Sequence, residues 1–194
     1  MEKFVEKQQK MMEENSRRYI FDAVVQVTQR DNKTDFTMQN IADEAGMATG
    51  TLYNYFKNKN DLLIYVFQEL IAMNKKRCYA ALSGLGNPLE RLQEYITAFL
   101  QFGREYIIIF RIFDRSGLRN HLPEGDREKN TLQDVEMIKK ILEEGINDNI
   151  FRKMDTDIMA KIIFASMIGL SVTDPLLDEF TPEQLSRKLM HLID

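Results

Sequence analysis

The chain has 194 residues, with 26 Lys plus Arg against 30 Asp plus Glu and a formal net charge of −4; at ~100–200 residues per domain this is one domain, or one with a small module. One cysteine excludes an internal disulfide, and two histidines far apart, His121 and His191, leave no metal site of the Cys/His kind. The acidic total does not favour nucleic acid, but residues 1–60 carry nine basic and nine acidic side chains, so the acidity sits in residues 61–194, with seventeen and twenty-one.

The first twenty residues mix acids and bases without an apolar core, unlike a secretory signal. The longest apolar-leaning run, 162–172, falls well short of the ~20 residues of a membrane span. The expectation is a soluble, cytoplasmic protein with no membrane partner. Strong helix formers dominate and no alternating run suggests a strand. The fold class expected is all-α, with about nine or ten helices.

Residues 2–14 read as an exposed helical extension. A first packed helix is predicted over 16–28, burying Ile20, Phe21, Val24 and Val27 on one stripe. Three short elements follow a polar loop: 37–45, 48–56, and one from 58 that lengthens through 62–81. Gly84, Gly86 and Pro88 end it. A helix from Pro88 is expected to be interrupted at Gly103, with another over 104–115, a loop over 116–125, helices over 127–148 and 156–172, a break at Asp174-Pro175, and a last helix over 182–192.

The stretch 36–56 carries the mechanism. Thr37 is placed to cap the first short helix, with Phe36 and Ile41 at the positions of a hydrophobic staple. Ile41, Ala42 and Ala45 supply its inner face, and Gly46 suits the break because a glycine accepts positive φ. Leu52 and Phe56, four apart, anchor the second short helix, leaving Thr49, Gly50, Thr51, Tyr53, Asn54 and Tyr55 outside or flanking. That is a helix-turn-helix whose outer face carries groups able to enter a major groove. Thr49 and Thr51 suit base edges or phosphates, Asn54 suits adenine, and the Tyr53 and Tyr55 phenols reach the backbone. Two tyrosines so placed can also pack on the protein itself. Asn58 is placed to cap the next helix, where Lys59 sits beside free backbone N–H groups and can grip a phosphate, as can Thr37 at its own helix start.

This segment resembles the DNA-binding domain of the TetR family of transcriptional regulators. The likeness rests on Thr37, Ile41, Ala42, Ala45 and Gly46, then Gly50, Thr51, Leu52, Tyr53, Tyr55, Phe56, Lys59 and Leu62. It departs at Ala48, where a capping Ser is common, and at Asn60, where Glu is common. The resemblance implies an N-terminal three-helix bundle with DNA contacts at Thr37, Thr49, Gly50, Thr51, Tyr53, Asn54, Tyr55 and Lys59, followed by a larger helical domain that binds a ligand and dimerises. It divides the chain into an extension (1–15), a DNA-binding domain (16–60) and an effector-binding and dimerisation domain (61–194).

In that larger domain, Val135, Ile138, Ile141, Leu142 and Ile146 recur at helical spacing, as do Ile158, Ile162, Ala165, Ser166 and Gly169. Either stripe serves a two-fold interface or an internal core; a homodimer through 127–148 and 156–172 is expected because two reading helices must be held ~34–36 Å apart on DNA. Phe99, Phe102, Tyr106, Phe110, Phe113, Phe164, Met137 and Met167 are dense enough to be core. The resemblance makes them the lining of a site for a hydrophobic small molecule, an acyl-CoA or an amphipathic compound, whose binding releases a repressor from double-stranded operator DNA. Arg104, Arg111 and Arg115 at i, i+7 and i+11 suit an anionic head group, Arg111 being counted with the ligand-binding residues, or pair with Glu105 and Asp114. No catalytic set, metal site or cofactor motif is visible. Arg77 beside Cys78 would lower the thiol's pKa, yet no base accompanies it. The alternative reading is an all-α ligand carrier or enzyme that does not bind DNA.

Overall fold

Capping side chains start several of the helices where the sequence places them. The structure, a computed structural model, describes residues 2–31, 35–82, 86–122, 126–172, 179–191 and 193. Among these are nine α-helices and no strand: α1 (Glu2–Asp31), α2 (Met38–Glu44), α3 (Thr49–Tyr55), α4 (Lys59–Ala81), α5 (Pro88–Glu105), α6 (Ile107–Arg115), α7 (Asp126–Asn147), α8 (Thr156–Val172) and α9 (Pro182–Met190), with a 3-10 turn at Leu118–His121. Asn87 caps α5 by accepting the Glu90 N–H at 2.9 Å, and Asp155 accepts those of Asp157 and Ile158 at 3.1 Å to start α8. The expected breaks at Gly84, Pro123 and Asp174-Pro175 lie outside the described residues. No helix among the described residues is long and apolar enough to cross a membrane.

The helices fall into two compact units: Met1–Glu69 with Ile108–His121, and Leu70–Ile107 with Leu122–Asp194. These limits differ from the expected division at 60/61, since α4 contributes residues to both units and most of α6 belongs to the first. In the first unit α1 packs on α2 and α2 on α3. α1 does not begin at Ser16: with no Gly or Pro over 2–31, the helix runs unbroken through the extension. Its C-terminal half buries Ile20, Phe21, Ala23, Val24 and Val27, whereas Phe4, Met11 and Met12 are exposed. Phe113 of α6 is fully buried and stacks on Phe67 with centroids 3.9 Å apart, while Phe110 meets the same ring edge-on at 5.9 Å.

In the second unit α5 lies against α7, α8 and α9, and α7 against α8. Leu92, Ile96 and Leu100 meet Ile138, Ile141 and Leu142 of α7 and Ala160, Ile163 and Met167 of α8 in one buried cluster. Each of these Leu, Ile and Met side chains contributes ~1.5–3 kcal/mol of burial. A buried hydroxyl pair, Thr97 to Ser186 at 2.8 Å, ties α5 to α9.

The structure departs from two expectations. Gly103 does not interrupt its helix, which continues to Glu105. A Cβ on Gly103 would lie 2.5 Å from the Ser171 Cβ, so the glycine is there for the close approach of α5 to α8. The α7 stripe Val135, Ile138, Ile141 and Leu142 faces the core and is unavailable to a partner. On α8 the stripe stands outward instead, with Ile158 at 54% and Ile162 at 46% exposure.

Candidate nucleic-acid interface

Phe36 and Ile41 are both buried and staple the chain's entry into α2. Thr37 and Asn40 form a reciprocal cap: Thr37 Oγ1 accepts the Asn40 N–H, and Asn40 Oδ1 accepts the Thr37 N–H, each at 3.1 Å. After α2 the Gly46 N–H donates to Asp43 O and the Met47 N–H to Ala42 O, with Gly46 at φ +66° making the turn. Any L side chain there would be strained.

α3 begins just after Ala48, which gives no side-chain cap. Thr49 does not substitute for it, because its hydroxyl donates to Gln39 Oε1 at 2.5 Å. What holds α3 is its inner side, where Leu52 is fully buried and Phe56 is 3% exposed. The Phe56 ring meets Tyr65 of α4 at 5.2 Å, and the Arg17 guanidinium of α1 lies 5.0 Å from the first ring and 5.7 Å from the second. The opposite side is open: Gly50, Thr51, Asn54 and Tyr53, at 49% exposure, face solvent, with Thr49 and Tyr55 half-buried beside them. Thr37 is exposed at the start of α2.

Lys59 is the first residue of α4, behind Asn58, whose Oδ1 accepts the Asp61 N–H at 2.9 Å. Its ammonium is bonded to Asp35 Oδ1 and lies 4.6 Å from the centre of the Phe36 ring. The Lys59 bond and charge, with the Phe36 N–H, hold the Asp35 carboxyl below its ordinary range. Sequence reading missed Asp35, Gln39 and Asp43. Gln39 and Asp43 stand one turn apart on the outer side of α2, joined at 2.6 Å through Gln39 Nε2, and that i, i+4 spacing was the available signal. Asp35 gave none, since its partner is 24 residues away.

The expected effector residues divide between the units. Phe110, Arg111 and Phe113 belong to the first, where Phe67 engages both rings. Phe99, Phe102, Tyr106, Met137, Phe164 and Met167 belong to the second. There Phe99 meets Phe164 edge-on at 6.2 Å, Phe102 meets Tyr106 at 4.6 Å, Met167 is fully buried and Met137 is half-buried. The expected arginine face does not form as one helix. The helix breaks at Tyr106, so Arg104 lies in the last turn of α5, where it donates to Phe180 O, while Arg111 and Arg115 stand on α6.

One buried polar group lies beside this core. The Tyr95 hydroxyl donates to Asp134 Oδ1 at 3.0 Å, and burial raises both groups, with the Tyr95 bond and Lys75 opposing the shift at Asp134. Cys78 is corrected in sign: burial, then the Asp134 charge, pushes its thiol up to about 12, against a smaller opposing effect of Arg77. The Arg77 guanidinium is engaged by Glu105 at 2.7 Å and Gln101 at 3.2 Å. Such a thiol is inert.

Residues 20–66 match the family model described as bacterial regulatory proteins of the tetR family. The chain is similar to the HTH-type transcriptional repressor KstR2 of Mycolicibacterium smegmatis, 28% identical over 132 residues, covering 66% of this chain and 63% of that protein. It is 46% identical over 50 residues to the fatty acid metabolism regulator protein of Bacillus subtilis, covering 26% of each. The match thus spans less than two thirds of the first relative and about a quarter of the second. Among solved structures, the transcriptional regulator FadR from Bacillus subtilis, in complex with stearoyl-CoA, is 26% identical with a TM-score of 0.64, covering 90% of this chain and 95% of that one.

Proposed function

The chain belongs to the TetR family of bacterial regulatory proteins, and from that we propose that it is a ligand-responsive repressor that binds operator DNA as a homodimer and leaves it when a hydrophobic small molecule binds. The observation that carries the reading is the two-sidedness of α3. Leu52 and Phe56 hold the helix from within, so that Gly50, Thr51, Tyr53 and Asn54 stand free to enter a major groove. Thr37, Thr49, Tyr55 and Lys59 flank that face and, with the Tyr53 phenol, take the adjoining phosphates.

Dimerisation uses the outward side of α8, where Ile158, Ile162 and Ile168 are exposed. The effector is an acyl-CoA or a similar amphipath, received among Phe99, Met137, Phe164 and Met167. The relatives that regulate fatty acid metabolism or hold stearoyl-CoA support this choice. The ligand acts by favouring a state with lower affinity for DNA.

Selection of duplexes from a random pool should yield a preferred site, bound less tightly as salt rises. Tyr53→Ala should weaken that binding by roughly ten-fold or more, since a hydrogen bond to a charged phosphate is lost, while stability stays within ~0.5 kcal/mol. Unchanged binding would refute the assignment of this face. Ile162→Asp should shift the protein from dimer to monomer in sedimentation and abolish tight binding with it. Long-chain acyl-CoA should displace the duplex, and a null result would remove this effector class.

A further inference from the structure

We propose that Asp35 is a built-in counterion that holds the Lys59 ammonium in the DNA-free protein and competes with phosphate for it. The inference rests on the reading of Lys59 as a phosphate contact and adds an element that opposes it. Three observations converge on the pair. The Lys59 ammonium is bonded to Asp35 Oδ1 and sits over the Phe36 ring, so it is held from two sides. The carboxylate is held in turn, because the same Oδ1 accepts the Phe36 N–H at 2.9 Å. The pair is also accessible: the Asp35 side chain is 82% exposed and that of Lys59 31%. A solvated anion can therefore take the carboxylate's place without disturbing the core.

A carboxylate and a phosphate oxygen make the same kind of bond to an ammonium. While Asp35 is in place, the pair presents no net charge to a duplex. When phosphate replaces it, the freed carboxylate remains nearby and repels the backbone. Neither group reads a base, so the effect falls equally on every duplex. Asp35 thus lowers affinity for DNA in general and leaves discrimination to α3.

The test uses the full chain and two probes, a duplex selected by the wild-type protein and a random-sequence duplex, titrated at several salt concentrations. Asp35→Asn keeps an acceptor for the Phe36 N–H. It should tighten binding of both duplexes by roughly three- to ten-fold per dimer, with a salt dependence steeper by about 0.9 per subunit. In a Lys59→Met background the same substitution should give a clearly smaller gain, because only the carboxylate's repulsion of the backbone is then relieved. Equal gains in both backgrounds, or no gain in the wild type, would overturn the proposal. Lys59→Met alone should weaken binding. If it does not, Lys59 meets no phosphate, and the fault lies with the underlying reading. A DNA-free readout separates the two: by NMR the Asp35 carboxyl should titrate higher in Lys59→Met than in the wild type, and an unchanged titration would show that the pair does not hold in solution.

Discussion

The helices α2 and α3 and the helices α5, α7 and α8 are alike in being apolar on one side, yet they hold their functional groups by different means. In the first stretch, short-range features do most of the positioning: the Thr37 cap, the Phe36–Ile41 staple, the Gly46 turn, and Leu52 with Phe56 all act within about two dozen residues. In the second, α5 is placed by α7, α8 and α9, which lie tens of residues away in sequence. The polar face of α3 follows from its neighbours in the chain, whereas the surroundings of Phe99 or Met167 follow from the whole unit.

The sharpest way to break this contrast is at Leu52. Leu52→Ala removes the one fully buried side chain of α3 and should cost ~2–5 kcal/mol of stability by urea unfolding, with DNA binding lost alongside. A loss below 0.5 kcal/mol would mean that the inner side of α3 is not what positions it. Gly103→Val probes the other kind of region, because it forces a side chain against Ser171 where α5 meets α8. A cost of ~1–3 kcal/mol is expected. The same method checks it, and an unchanged midpoint would show that the two helices separate freely.

The third prediction concerns pH. Burial raises the Asp134 pKa, so the folded chain holds this proton more tightly than the unfolded one. The carboxyl therefore favours folding below its unfolded pKa, and that contribution is lost as pH rises through the folded value. Asp134→Asn, which still accepts from Tyr95, should be more stable than the wild type at neutral pH. Its advantage should shrink as pH falls through the folded pKa; midpoints differing equally at pH 7 and in acid would contradict the assignment.

The comparison also explains what could be read in advance. The caps at Thr37 and Asn58, the turn at Gly46 and the buried pair Leu52 and Phe56 are local, and each stands where the sequence puts it. Periodicity identified the apolar side of α7 without revealing what covers it, so a core stripe looked like a partner surface. Gly103 read as a break because a glycine within a helix looks the same whether it ends the helix or admits a neighbour, and Ser171 is far along the chain. Arg77 beside Cys78 suggested a lowered pKa, but burial decides it the other way. Asp35 and Lys59 are distant in sequence, and no spacing rule joins them.

At seven residues with no side-chain cap at its start, α3 is below the length at which a helix holds its own shape in water. It borrows its order from the rings and aliphatic groups beneath it. A chain that has begun to melt would therefore present a formless strip to the duplex, so heat or a destabilising substitution in that packing should silence the protein before it aggregates or is degraded.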